Sequence, residues 1–295
     1  MMSETSEKLV YHNGRIISAS EARVSVFDAG FTNAAGLFET LRVYDGRVMR
    51  LRDHTERLLR SAAALGLHID TTHESLERGI LELLAASGLR EARMRLTVTP
   101  GNVPRPGEPI EETPVTTVVI TAEQVRPYPA ELYRHGMRVC LCPYKQSRLN
   151  PIAGHKTLDY LPRLLAMKDA AERKCHESLW FNTENQLAEG SICNVFIVCE
   201  GRIVTPPVDT PVLPGTVRKA VIELAGDAGI PLDERPIDIN ALLAANEVFL
   251  TGSVLEIMPV TAIEKHQVGG GAPGAVTLRL RRFYTALTAK ECGQG

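Results

Sequence analysis

The chain has 295 residues, 44% hydrophobic and 23% charged, the balance of an ordinary globular protein long enough to bury a core without disulfides or metals. Lys and Arg number 33 against 35 Asp and Glu, a formal charge of −2, so no strong field of either sign favours nucleic acid or an anionic membrane as partner. No run approaches the ~18 apolar residues of a membrane span, Met1 to Lys8 lack the apolar core of a secretion signal, and the six cysteines form no Cys-x-x-Cys pair and no zinc-spaced cluster with His. The expectation is a cytoplasmic protein with buried, reduced thiols.

The predicted elements begin with a hairpin over residues 8–17, where Asn13-Gly14 supplies a two-residue turn between apolar runs. A second hairpin joins Phe38 to Tyr44 with Arg47 to Leu51 through Asp45-Gly46. Residues 53–65 read as a helix capped by Asp53, with Leu58, Leu59, Ala62 and Leu65 at helical spacing. Another helix covers 73–87 and ends at Gly88, and strands follow at 92–99 and 115–121. Pro127 and Pro129 mark an interdomain linker over 126–136. Beyond it come a strand at 137–143, in which Cys140 and Cys142 share a face, a loop at 145–157, and a helix from about 159 to 174 with Pro162 in its first turn. Strands at 177–181 and 194–199, a return strand Arg202-Ile203-Val204, a helix from Thr216 to about Gly226, a strand at 247–251 and an amphipathic helix at 274–290 complete the pass. The organisation is α+β, with a small N-terminal domain over 1–125 and a larger C-terminal domain over 137–295.

Five segments carry side chains suited to chemistry. In Gly154-His155-Lys156-Thr157-Leu158-Asp159-Tyr160 a lysine sits between a strand and a helix start. Desolvation lowers a lysine pKa, and the neutral amine can bond an aldehyde. Glu189 opens the turn Glu189-Gly190-Ser191 into an apolar strand, where a carboxylate can pair with a protonated ring nitrogen. Leu213-Pro214-Gly215-Thr216-Val217 starts a helix whose first N–H groups suit a phosphate. Gly252-Ser253 follows a strand and offers a hydroxyl. Arg57, in Asp53-His54-Thr55-Glu56-Arg57-Leu58, lies on a helix, and a guanidinium is a natural clamp for a phosphate dianion. Each segment has a plain alternative: a surface lysine, an exposed turn glutamate, an ordinary helix start, a plain turn, a solvated helix face.

Arg57, Lys156, Glu189, Gly215-Thr216 and Gly252-Ser253 occur in the order and approximate spacing of the fold-type IV pyridoxal-phosphate enzymes, and the chain resembles that family from the Asn13-Gly14 turn to the last helix. The family includes branched-chain aminotransferases, D-amino acid aminotransferases and 4-amino-4-deoxychorismate lyases. The resemblance implies a two-domain, D-amino acid aminotransferase-like fold with pyridoxal 5′-phosphate in the cleft between the domains. It also implies a homodimer, with a partner loop lining the pocket. By resemblance, Lys156 bonds the cofactor aldehyde as a Schiff base and later carries the proton between substrate Cα and C4′, and Glu189 binds the pyridine nitrogen. Arg57 grips the phosphate with the backbone N–H groups of Thr216 and Val217, at the helix start after Gly215, and with the hydroxyl of Ser253. Leu213 packs on the ring and Tyr160 bonds its hydroxyl, although Tyr160 lies one residue nearer Lys156 than in the branched-chain group. Val217 stands where the family has a second phosphate threonine, so only its backbone serves there, and Thr216 offers a hydroxyl one residue earlier.

The resemblance leaves the substrate open. Gly36-Leu37-Phe38-Glu39-Thr40-Leu41-Arg42 corresponds to the stretch that lines the family's substrate pocket, and Phe38, Arg42, Arg95 and Arg105 are the substrate candidates, arginine being able to hold an α-carboxylate with two bonds. Arg105 matches the arginine of the D-amino acid group's carboxylate trap, but Gly107 replaces its histidine and Phe38 its tyrosine. Arg93 replaces the branched-chain group's tyrosine. The lyase group shares the Phe38-Glu39-Thr40-Leu41-Arg42 pattern. For Arg42 and Arg93 cross-strand ion pairs are the alternative. Three readings follow: an aminotransferase between a small or branched amino acid and a 2-oxo acid, a lyase releasing pyruvate and 4-aminobenzoate, and a non-catalytic cofactor-binding protein.

Overall fold

The computed structural model describes residues 8–103 and 115–293, in two compact units. The first comprises Met1–Arg126, Lys156–Asp159 and Glu291–Gly295, and the second Pro127–His155 and Tyr160–Lys290. Lys156 thus packs with the first unit, although the chain on either side of its short segment belongs to the second.

In the first unit the elements are β1 (Leu9–His12), β2 (Arg15–Ser18), α1 (Ala29–Asn33), β3 (Leu37–Tyr44), β4 (Arg47–Val48), α2 (Leu51–Ala64), α3 (His73–Ser87), β5 (Ala92–Thr99) and β6 (Thr117–Gln124). The strands form an antiparallel six-stranded sheet in the order β2-β1-β6-β5-β3-β4. Period-two alternation sends Leu37, Leu41 and Val43 of β3, with Ala92, Met94, Leu96 and Val98 of β5, into one core with Leu58 and Ala62 of α2 and Leu76, Ile80 and Leu83 of α3. Glu39 falls on that same apolar face. Both predicted hairpin turns are present. Helix α2 begins earlier than the Asp53 cap implies: its N-cap is Arg50, in the left-handed region at φ 53, and Asp53 lies in the first turn, where an acid complements the helix dipole.

The second unit holds α4 (Ala130–His135), β7 (Met137–Gln146), α5 (Leu161–Glu172), β8 (Glu177–Asn182), β9 (Leu187–Gly190), β10 (Asn194–Cys199), β11 (Arg202–Thr205), α6 (Thr216–Asp227), β12 (Leu232–Glu234), α7 (Ile239–Leu243), β13 (Glu247–Gly252), β14 (Glu256–Ile263), β15 (His266–Gln267) and most of α8 (Ala275–Cys292). Its mixed sheet runs β12-β11-β10-β13-β14-β7-β8-β9, with β15 beside β14. Strands such as Glu177–Asn182 and Asn194–Cys199 are buried almost throughout, so they read as continuous runs rather than alternating ones. Residues 126–136, expected as a linker, contain α4. Among the described residues no helix is long and apolar enough to cross a membrane.

Candidate active site

The Lys156 segment is fastened to the start of β3. Phe38 N–H donates to the Lys156 carbonyl (2.9 Å), Leu158 N–H to the Gly36 carbonyl (2.9 Å), and Leu37 bridges Thr157. Gly36 permits the approach, because a Cβ there would lie 2.7 Å from Leu158 Cδ1 and 2.9 Å from the Val98 carbonyl. This pairing leaves Lys156 half-buried, with Nζ 4.5 Å from the Phe38 ring centroid. The guanidinium of Arg95 stacks on the same ring at 3.8 Å, and its Nε donates to Thr97 Oγ1.

Arg57 and His54 project from α2 onto the carboxylate of Glu39. Arg57 donates from Nε to Oε1 (2.8 Å) and from Nη2 to Oε2 (2.5 Å), and His54 Nδ1 lies 2.8 Å from Oε2. All three are buried. Burial alone would raise the Glu39 pKa. The Arg57 charge and the bonds from His54 and Arg57 outweigh it and hold that pKa at about 2. His54 goes the other way. Burial lowers its pKa despite the bond to Glu39, and the charges of Arg57 and Lys156 lower it further. The imidazole is therefore neutral at neutral pH. Its sensitivity to Lys156 couples the lysine electrostatically to this cluster.

In the second unit Glu189 is the penultimate residue of β9 and is 2% exposed. Its Oε1 accepts from Gln146 Nε2 (3.1 Å) and Arg163 Nη2 (2.5 Å), and its Oε2 from Leu213 N–H (3.0 Å). The Ser191 carbonyl accepts from Tyr160 Oη (3.3 Å) and from Arg163. Burial pushes the Tyr160 pKa up to about 12, so its phenol stays a donor across the physiological range. Beneath the turn, Glu177 Oε1 accepts from Ser178 N–H and Ser191 N–H, and Oε2 lies 3.5 Å from Cys193 Sγ. Burial raises the pKa of Glu177 and pushes that of Cys193 well above the thiol range, so burial keeps Cys193 a protonated thiol.

Helix α6 begins at Gly215 without a side-chain cap. A Cβ on Gly215 would lie 2.0 Å from Asn194 Oδ1, so only glycine lets the helix start settle on Asn194, whose Nδ2 holds the Leu213 carbonyl. Asn194 pairs in register with Thr251, whose buried Oγ1 has no hydrogen-bond partner among the described residues. Thr216 and Val217 are buried in the first turn of α6, and Ser253 is half-buried just past Gly252.

Of the predicted residues, Lys156, Phe38, Arg95 and Arg57 fall in the first unit, and Tyr160, Glu189, Leu213, Gly215, Thr216, Val217 and Ser253 in the second. Arg105 lies outside the described residues. Arg42 is committed elsewhere: it pairs with Glu91, donates to the Val43 carbonyl and stacks over Tyr44. Arg93 pairs with Glu123 at 2.7 Å. Arg93 therefore takes the cross-strand ion pair that the sequence left as its alternative, and Arg42 takes an ion pair with Glu91, just before β5. Sequence reasoning missed Glu39, His54, Arg163 and Glu177. Glu39 was findable, because a carboxylate on the apolar face of β3 demands a buried cation. Arg163 left a fainter signal, a cation in the first turn of a helix.

The class IV amino-transferase family model matches residues 36–263, and the chain belongs to that family. A provisionally named branched-chain-amino-acid aminotransferase of Methanocaldococcus jannaschii is 34% identical, covering 95% of this chain and 96% of its own length. Aminodeoxychorismate lyase of Bacillus subtilis is 32% identical, covering 94% of this chain and 93% of its own. The structure of the T.th. branched-chain amino acid aminotransferase with pyridoxamine 5′-phosphate superposes with a TM-score of 0.89 at 28% identity, covering 98% of this chain and 95% of that one. The fold is therefore α+β, fold type IV. Class IV aminotransferases use pyridoxal 5′-phosphate, and the residues present fit it. Glu189 keeps acceptor capacity on Oε2 for a ring N–H, the start of α6 suits a phosphate, and the orphaned Thr251 hydroxyl lies in register with the Asn194 that carries this helix start.

Proposed function

We propose that this chain transfers an amino group between an amino acid and a 2-oxo acid, with Lys156 as the amine that carries the proton. The observation that carries the reading is the pinning of the Lys156 segment on Gly36–Phe38, which leaves its amine half-buried against the Phe38 ring. When bound, pyridoxal phosphate supplies an electrophilic aldehyde and a ring that accepts electrons. Lys156 Nζ, once neutral, takes a proton from the substrate Cα and returns it on the far side of the exchange. Glu189 holds the ring nitrogen through Oε2, and the Tyr160 hydroxyl, which otherwise donates to the Ser191 carbonyl, turns its one proton to the ring oxygen. Arg57, the amides of Thr216 and Val217 after Gly215, and the Ser253 hydroxyl hold the phosphate, while Leu213 packs on the ring. Glu39 keeps the Arg57 guanidinium in one orientation. Arg95, stacked on Phe38, takes the substrate carboxylate, and Arg105 is a second candidate for it. Arg42, satisfied by Glu91, drops out of this set.

Small or branched amino acids are the proposed donors. A homodimer is supported by apolar side chains left in water: Phe27 and Phe31 in the first unit, 73% and 74% exposed, and Leu161, Leu164 and Leu165 on α5 in the second. All six cysteines are free, which supports a reducing, cytoplasmic setting. The test is spectroscopic. The purified protein should be yellow, and individual L- or D-amino acids should bleach its ~420 nm band. Lys156→Ala should lose the lysine-dependent band and on the order of a thousandfold or more in turnover. A spectrum unmoved by every amino acid would sink transamination. The 32% identity to an aminodeoxychorismate lyase keeps one alternative, release of pyruvate and 4-aminobenzoate by the same lysine. Pyruvate formed without an amino acceptor would establish it.

A further inference from the structure

We propose that Arg163 is a positioning residue that draws on the negative charge of Glu189 and so weakens the hold of Glu189 on a proton at the pyridine nitrogen of the cofactor. The inference rests on the reading of Glu189 as the ring partner. Arg163 Nη2 lies 2.5 Å from Glu189 Oε1, and Nη1 donates to the carbonyls of Gly190 (3.1 Å) and Ser191 (2.9 Å). One guanidinium therefore gathers three acceptors from one turn, while Glu177 takes the Ser191 amide from the other side. With Gln146 also on Oε1, the oxygen left for a ring N–H is Oε2. A second cation on the same carboxylate repels a protonated ring nitrogen, so the net attraction felt there is smaller than Glu189 would give alone.

The placement of Arg163 works against its own helix. It lies in the first turn of α5, where the dipole disfavours a cation, and that turn has neither an acidic residue nor a side-chain cap. Its side chain is only 20% exposed. Burial disfavours its charge, yet Glu189 holds its pKa above the ordinary arginine value. The Trp180 ring centroid lies 5.7 Å from the guanidinium, and Trp180 Nε1 donates to Ser191 Oγ in the same turn. A cation kept there against desolvation and the helix dipole is fixed on Glu189, and its charge is felt wherever Glu189 acts.

The test uses the holoenzyme with 15N-labelled pyridoxal phosphate. Arg163→Met and Arg163→Gln remove the charge, and Arg163→Lys keeps it while losing the planar fork. The 15N resonance should move to the protonated side in the Met and Gln variants, by about tenfold in proton affinity. The Lys variant should stay near the parent. If all three weaken cofactor binding and leave the resonance in place, Arg163 is only a structural clamp and the proposal is overturned. Glu189→Gln in the same series separates the two failures. It should move the resonance to the unprotonated side. If it does not, the assignment of Glu189 falls, and this proposal with it. If it does while the Arg163 variants do not, the proposal alone falls.

Discussion

Glu39 in the first unit and Glu177 in the second are both buried carboxylates, 1% and 4% exposed, and their proton affinities move in opposite directions. Glu39 meets a guanidinium and an imidazole, and its pKa falls to about 2. Glu177 meets two backbone amides and a thiol, and desolvation wins. Burial is nearly the same in the two places, so it is the partner that decides the sign. The consequence is a division of labour. Glu39 is a fixed anion that orients Arg57, whereas Glu177 braces a turn as a hydrogen-bonding group whose charge is disfavoured.

The largest effect should come from stranding the fixed anion. Arg57→Ala leaves Glu39 buried with His54 alone, at a cost of about 3–5 kcal/mol in urea unfolding. A loss under about 1 kcal/mol would mean that water reaches Glu39, and the contrast would break.

Acid should come next. The folded pKa of Glu39 lies below the usual carboxylate value, so its contribution is complete above pH ~4.5 and is lost as pH falls through the folded value near 2. Roughly 3 kcal/mol should disappear over that window, and Glu39→Gln should flatten the loss.

Glu177 should give a smaller effect of the opposite sign. Its raised pKa favours the folded state at low pH, and this contribution fades as pH rises through the folded value. Glu177→Gln keeps an oxygen for the Ser178 and Ser191 amides, so it should remove that slope from a melting-temperature profile taken upward from the ordinary glutamate pKa. A slope that persists would deny Glu177 its part in the comparison. The smallest effect is at the exposed Arg93–Glu123 pair, where Arg93→Ala should change unfolding stability by under about 1 kcal/mol. A larger loss would show that exposed pairs on β5 matter as much as the buried ones.

Much of the fold was legible in the sequence, because hairpin turns and helix ends are local. Asn13-Gly14 and Asp45-Gly46 take positive φ values, and Thr72 and Gly88 cap α3 at both ends. Short elements, and a strand that contains proline, were missed. Strand β9 is short and β14 contains Pro259, while α1 and α7 span about one turn. The cap of α2 was misread because Arg50 adopts the left-handed conformation, which nothing local requires of an arginine.

The sequence by itself determined which chemical groups the chain owns and their order: an amine at 156, a carboxylate at 189, a guanidinium at 57, a glycine opening α6. Only the tertiary structure decided their partners. Glu39 takes Arg57 from 18 residues away, Glu189 takes Arg163 from 26, and Ser191 N–H reaches Glu177 across 14. The physical reason is range. Helical and strand periodicity is set by neighbours a few bonds apart, whereas the charge on a buried carboxylate is set by whichever distant group the fold brings within hydrogen-bonding distance of it.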